Sequence, residues 1–256
     1  ICEDGITSMV VTKNPEVRVW VLTDTGELRV LLKEPTEDVQ AWSRVTIDGT
    51  IEDMAVVPNT GEDELWLTVR RNGRSQIEKL SQFSVIEPLD SFVRYTSPGT
   101  DVLTGLGHLE GLTVGAWADN EDRGDYTVTG GQITIDSPAY ANIVVGLRYT
   151  ADYKSSKLGN YIAESVIGER KRVTSTALVM SDYAPGSLRV GSSFTKLRDL
   201  PGSQTGTLIS DYDEQAFSFP GRCDTDSRIF MRATGPCTIL ALSYGVNMRD
   251  KKDVTT

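Results

Sequence analysis

The chain has 256 residues, 39% of them hydrophobic, enough to bury a sizeable core in one large or two to three small domains. Its formal net charge of −10 excludes tight, nonspecific binding of nucleic acid, which needs Lys and Arg ranged along phosphates, but suits a surface that DNA passes without sticking. No apolar run is long enough to cross a membrane and no signal peptide is expected, while the opening Ile1-Cys2-Glu3-Asp4, without an initiator Met, reads as a fragment or processed form of a longer polypeptide.

In chain order, residues 17–80 read as consecutive strands. Val17–Thr23 and Glu27–Lys33 flank a turn at Asp24-Thr25-Gly26, and Val39–Val45 leads through Asp48-Gly49 to Ile51–Val57. Glu64–Arg71 and Ser75–Leu80 then flank Asn72-Gly73. Two hairpins share their lettering: Val19-Trp20-Val21-Leu22 and Leu65-Trp66-Leu67-Thr68 lie 46 residues apart. A four-stranded meander of roughly 40 to 50 residues is the size of one β-propeller blade, which makes Val17–Val57 one blade and Glu64–Leu80 the start of another. An ordinary antiparallel sheet with two Trp-bearing hairpins is the alternative. Val17, Val19 and Val21 share one face while Trp20 and Leu22 share the other, so the first hairpin needs cover on both sides.

From Glu87 glycines punctuate short strands at Leu112–Ala118, Tyr126–Thr129, Gln132–Ile135 and Asn142–Tyr149, a pattern for a small barrel or sandwich. Ala151–Gly168 reads as a helical or irregular connector. Strands resume at Lys171–Ser181, Ser187–Val190, Thr207–Ser210, Gln215–Phe219, Ser227–Ala233 and Thr238–Val246. The expected fold is all-β: propeller-like antiparallel blades over 1–86, a Gly-rich small β domain over 87–150, and a C-terminal β-sandwich-like platform region over 151–256. An apolar stripe of 3.6-residue period is missing, which argues against an α/β nucleotide-binding core.

Few residues carry a chemical reading. His108, the only histidine, sits in Gly105-Leu106-Gly107-His108-Leu109-Glu110-Gly111 and reads as a structural turn residue before a general base. Glu62-Asp63-Glu64, Asp119-Asn120-Glu121-Asp122 and Asp211-Tyr212-Asp213-Glu214 read as solvated turns and loops, without the twelve-residue spacing of a calcium loop. Arg170-Lys171-Arg172 reads as a solvated strand entrance or ion-pair contact before a phosphate site. Cys2, Cys223 and Cys237 are too few and scattered for a disulfide framework; buried, reduced thiols are expected, with a Cys223–Cys237 bridge as the lesser alternative. Nucleophile-elbow, phosphate-loop, zinc-hydrolase and dinucleotide motifs are all missing, so no catalytic, cofactor-binding or metal residues are expected.

Several phrases taken together resemble the tail tubular B, or nozzle, proteins of short-tailed bacteriophages and related prophage stabilisation proteins. They are Val19-Trp20-Val21-Leu22 with Gly26, Ala41-Trp42-Ser43-Arg44 with Asp48-Gly49, Asp63 to Arg71 with Ile77-Glu78-Lys79-Leu80, and Gly105 to Gly111. Val144 to Tyr149, Lys171-Arg172-Val173 and Gly235 to Leu242 continue the series in order. The resemblance implies an irregular propeller with β-rich platform domains, a structural, non-enzymatic role in the virion, and synthesis in the host cytoplasm. It also implies a homo-oligomeric ring, contact with other tail proteins and transient, nonspecific passage of DNA. This chain is much shorter than such proteins and resembles their C-terminal portion, which leaves a closed propeller in doubt. Two other readings are a carbohydrate- or receptor-binding β-module, with sugars stacked on Trp20, Trp42, Trp66 and Trp117, and a tail-associated hydrolase with paired carboxylates.

Overall fold

The computed structural model describes residues 3–36, 38–81, 87–158, 170–200 and 208–248, without the side chains of 211–215 and 248. Among them every regular element is a strand except a 3-10 turn at Gly107–Leu109, and every pairing of strands is antiparallel. The chain divides into two compact units, Ile1–Glu87 and Pro88–Thr256.

In the first unit, β1 (Ser8–Thr12), β2 (Val17–Leu22), β3 (Leu28–Glu34) and β4 (Val39–Val45) form a four-stranded meander. A three-stranded meander follows, of β5 (Thr50–Val57), β6 (Glu64–Arg71) and β7 (Arg74–Lys79). The expected grouping of Val17–Val57 is therefore shifted by one strand. Ser8–Thr12 opens the first sheet, and Thr50–Val57 pairs with Glu64–Arg71 to open the second. The cause is alternation: Ile51 and Met54 share a buried face with Val69 and Leu67, a match that β4, largely exposed along its length, does not offer.

Trp20, Leu22 and Leu28 of the first sheet share one core with Ile51, Met54, Leu65, Leu67 and Val69 of the second. Trp20 donates from Nε1 to Thr12 Oγ1 at 3.1 Å, so its one polar atom is satisfied inside. At the rim of this core the buried Arg71 donates through Nε and Nη2 to Glu78 at 2.8 and 2.9 Å, and through Nη1 to the Asp48 carbonyl. Removing one partner of such a buried pair costs about 3–5 kcal/mol.

The two sheets meet at the first hairpin turn. Gly26 has φ +78°, donates to the Thr23 carbonyl at 2.9 Å and accepts from Ile51 N–H at 3.3 Å. A Cβ there would collide with Thr50 Cγ2 and lie 3.1 Å from the Ile51 carbonyl. Asn72 and Gly73, both at positive φ, close β6 onto β7 as a two-residue turn of the kind that matches strand twist.

The second unit contains two further cores. β8 (Asp90–Thr96), β9 (Val102–Thr104), β10 (Thr113–Ala118), β11 (Glu121–Thr127), β12 (Gln132–Thr134) and β13 (Asn142–Leu147) build a four-stranded sheet in the order β11-β10-β13-β8 and a two-stranded β12-β9 sheet. Val114, Ala116, Ala118, Ile143, Val145 and Leu147 face their common core. Gly115, Trp117 and Val144 on the opposite face are buried too, which accounts for the nearly unbroken apolar lettering of β10 and β13.

β14 (Ala151–Lys154), β15 (Lys171–Tyr183), β16 (Leu188–Gly191), β17 (Leu197–Asp199), β18 (Ile209–Ser218), β19 (Phe230–Ala233) and β20 (Thr238–Met248) then form two sheets, β14-β19-β16-β17 and β18-β15-β20. Their core joins Val173, Leu178, Met180 and Tyr183 to Leu188, Val190 and Met231. No sheet among the described residues closes into a barrel, so the barrel part of the expectation gives way to open sheets with edges. The expected connector begins with strand β14, and its residues 159–168 lie outside the described residues.

Gly26→Ala is expected to destabilise the protein by about 1–3 kcal/mol, because it meets both a left-handed backbone and a collision. Gly61→Ala, at a position with no atom within 4 Å, should stay within about 0.5 kcal/mol. Chemical denaturation of both variants checks the contrast.

Candidate functional site

Two of the acidic runs hold neighbouring groups in place. Asp63 Oδ2 accepts from the N–H groups of Lys13 at 2.7 Å and Asn14 at 3.3 Å, and Oδ1 from Asn59 N–H at 3.4 Å. These backbone donors, Lys13 first, hold its carboxyl below the ordinary 3.8. Glu64 accepts from Lys79 Nζ at 3.1 Å and Trp66 Nε1 at 3.0 Å. Asp119 and Asn120, both at positive φ, form the β10–β11 turn, and Asp119 accepts from the N–H groups of Ala141 and Asn142.

Asp211-Tyr212-Asp213-Glu214, expected as a loop, lies within β18. There the pairing with β15 shifts between Leu178 and Met180, and a bulge accommodates the charged run in an edge strand. Of the basic run, Arg170 and Arg172 are exposed, but Lys171 is buried at the start of β15. His108 lies in the 3-10 turn between the buried Leu106 and Leu109, with Nε2 3.1 Å from the Ser91 carbonyl. Nearby, Glu110 accepts from Gly130 and Gly131 N–H at 2.9 and 2.6 Å, which ties the glycine-rich loops together.

A cleft of about 540 Å³ opens in the second unit beside the β10–β11 hairpin, lined by Trp117, Glu121, Asp122, Arg148, Ala184–Ser187, Thr234 and Gly235. A Cβ on Gly235 would lie 3.2 Å from Ser187 Cβ and 3.4 Å from Trp117 Cζ2, so glycine lets that loop rest on the indole. Arg148 dominates its electrostatics. Nη1 and Nη2 hold Asp122 at 2.9 and 2.7 Å, Nε holds Asp125 at 2.5 Å, and the two carboxylates, Asp122 foremost, raise the guanidinium above its usual range.

Sequence reading missed this hub because residues three apart on a regular strand face opposite ways. Here the β10–β11 register shifts between Gly115 and Trp117, and Gly124 at φ +87° supplies the bulge that turns Asp122 and Asp125 toward one arginine. Glu121 is likewise paired, with Arg123 at 2.8 Å. The Ser187 hydroxyl donates to the Pro236 carbonyl at 3.2 Å. The cleft thus gathers ion pairs and a committed hydroxyl, where glycoside hydrolysis calls for two carboxyls free to face one bond.

The four tryptophans divide by face. Trp20 and Trp117 are buried, and Trp117 Nε1 has no hydrogen-bond partner among the described residues. Trp66 is half-buried under Lys79, while Trp42 on β4 is 43% exposed. Trp42 pairs across β3 with Leu31 and then Val19, on the side of the first sheet away from the shared core. Trp66 alternates with Leu65 and Leu67, on the side of the second sheet away from that core. The two accessible indoles therefore look in opposite directions and do not line one groove.

Cys223 and Cys237 are free thiols, and Cys2 lies outside the described residues. Contrary to expectation Cys223 is exposed, because it sits in the polar segment Arg222-Cys223-Asp224 between β18 and β19. Cys237 is half-buried against Met180, with its thiol pushed up by burial to about 11.

Against known proteins, the chain matches no family model and no curated protein.

Cys237 is expected to react with a disulfide reagent at pH 8 about 100-fold more slowly than an ordinary cysteine, because a thiol at about 11 rather than 9.0 holds about a hundredth of the thiolate. Reagent titration of a Cys2→Ser chain, with and without Cys223→Ser, should resolve a fast thiol at 223 and a slow one at 237. Denaturant should equalise the two.

Proposed function

We propose that the chain is a structural part of a short-tailed bacteriophage tail, in the nozzle or distal tube, where it helps form an oligomeric channel for genome ejection. The observation that carries this reading is the pair of blade-like sheets stacked on a shared core, with exposed apolar side chains on the faces turned away from it: Met9, Val11 and Trp42 on the first sheet, Val57 and Ile77 on the second. Such faces belong to a larger assembly. The ordered run of phrases resembling nozzle proteins supports the same reading.

Electrostatics fit a conduit. A net charge of −10 gives passing DNA little to hold, because affinity for a duplex rises with each phosphate that Lys or Arg neutralises. The partners in this reading are further copies in a ring, neighbouring tail proteins and, in transit, the genome. A carbohydrate-binding module is a poorer fit, since the two accessible indoles, Trp42 and Trp66, face opposite ways.

Antibody labelling of particles produced by the strain that encodes the chain tests the proposal. Label at the distal end of the tail, with the chain present in the purified particles by mass spectrometry, is the expected result. Particles of full infectivity that lack the chain would overturn it. Purified chain should also leave duplex DNA unretarded in a mobility assay at about 150 mM salt.

A further inference from the structure

Asn72 differs chemically from the other six asparagines of the chain. Asn14, Asn59, Asn120, Asn142, Asn160 and Asn247 precede Pro, Thr, Glu, Ile, Tyr and Met, whereas Asn72 precedes Gly73. A side-chain carboxamide is open to attack by the main-chain nitrogen of the next residue. Proline has no N–H to offer and a side chain crowds the approach, while glycine leaves it clear.

The hairpin leaves both reacting groups unengaged. Asn72 and Gly73 are exposed at the tip of β6 and β7, and among the described residues neither the Asn72 carboxamide nor the Gly73 N–H has a hydrogen bond. No atom lies within 4 Å of where a Cβ on Gly73 would stand. Other asparagines are held: Asn14 Nδ2 donates to the Gly61 carbonyl at 2.6 Å, and Asn59 Oδ1 accepts from Thr60 N–H at 2.7 Å. The turn fixes Asn72 at φ +45°, so ring closure waits on local opening of the tip. That opening is within reach, because β7 is an edge strand with Arg74, Ser75 and Ile77 exposed.

We infer that Asn72 is a site of spontaneous deamidation, and that only one of its two products keeps the hairpin. The Gly73 nitrogen, deprotonated by hydroxide, bonds to Asn72 Cγ and expels ammonia, which closes a five-membered succinimide. Water then opens the ring. Attack on Cγ breaks the new C–N bond and yields aspartate on the original main chain. Attack on the main-chain carbonyl carbon breaks the old peptide bond and yields isoaspartate, whose main chain runs through Cβ and Cγ and is one methylene longer. One water enters and one ammonia departs, with no oxidant or cofactor consumed.

The two products differ in what the turn accepts. Asp-Gly, like Asn-Gly, suits a two-residue turn with both residues at positive φ, so aspartate keeps Arg71 paired with Arg74. Isoaspartate lengthens the turn and puts β7 out of register with β6. Arg71 then loses its partner, since its Nε and Nη2 bonds to Glu78 on β7 rest on that register. This chemistry is independent of any role in a tail, so its test and the particle labelling can fail separately.

Warm incubation of the purified chain in mildly alkaline buffer, followed by peptide mapping with mass spectrometry, tests the inference. Asn72 should convert ahead of the other six asparagines, to a mixture of aspartate and isoaspartate, faster as pH rises and faster in denaturant than in the folded chain. The isoaspartyl fraction, separated by ion exchange, should unfold at a urea concentration lower by about 1 M, from the cost of breaking a buried pair set against an ordinary m-value. Asn72→Asp should unfold with the intact chain. Asn72→Gly keeps a two-residue turn and has no carboxamide, so its unfolding midpoint should survive the same incubation unchanged. Asn72 persisting in the folded chain long after the denatured chain has converted, or conversion first at another asparagine, would overturn the site. An isoaspartyl fraction as stable as the intact chain, or an Asn72→Asp chain as unstable as that fraction, would overturn the division between products.

Discussion

In the first unit, the face carrying Trp20, Leu22 and Leu28 packs on the face carrying Leu65, Leu67 and Val69, and the placement of the surrounding residues follows from that contact. Because the faces differ, the sheets stack in one direction. Gly26 permits the close approach of the first turn to β5, Arg71 and Glu78 close the rim, and Asp63 pins the loop after β5 to Lys13 and Asn14. The same direction of stacking puts Trp42 on one outside face and Trp66 on the other, so the two indoles do not line one groove.

The second unit follows a different rule. β10 and β13 are buried on both faces, so the sheet they centre is an interior layer with cores on either side. Where that layer reaches the surface, beside the β11 hairpin, charge is gathered into the Arg148–Asp122–Asp125 cluster. The cleft there is an ordered polar joint between the glycine-rich sheet and the Ala184–Ser187 and Thr234–Gly235 loops. Its charged groups Arg148, Asp122 and Glu121 are each ion-paired.

What the sequence disclosed and what it concealed have physical causes. Strands with strict alternation, such as Leu65-Trp66-Leu67, were legible, as were the Asn72-Gly73 turn and the placing of His108 in a turn. β1 escaped notice because five residues, Ser8 to Thr12, carry too short a pattern to stand apart from a loop. The regrouping of β5 was hidden because strand order depends on which buried faces match, a nonlocal property. Bulges concealed the remainder: one brings Asp122 and Asp125 to one arginine, and another admits Asp211 to Glu214 into a strand. Lys171 was read as solvated from its neighbours' charge, yet alternation in β15 turns it inward between the exposed Arg170 and Arg172.

The central claim is that the two sheets stack in the same sense, with equivalent tryptophans in inequivalent places. Proton NOE spectroscopy of the methyl-labelled chain reads this directly, since cross-peaks report groups within about 5 Å, near the contact range of packed side chains. The Trp20 indole should show cross-peaks to methyls of the second sheet's core residues, Met54, Leu65, Leu67 or Val69, while the Trp66 indole shows them to Ala55 of its own sheet. Cross-peaks from Trp66 to the methyls of Leu22 or Leu28 would contradict same-sense stacking.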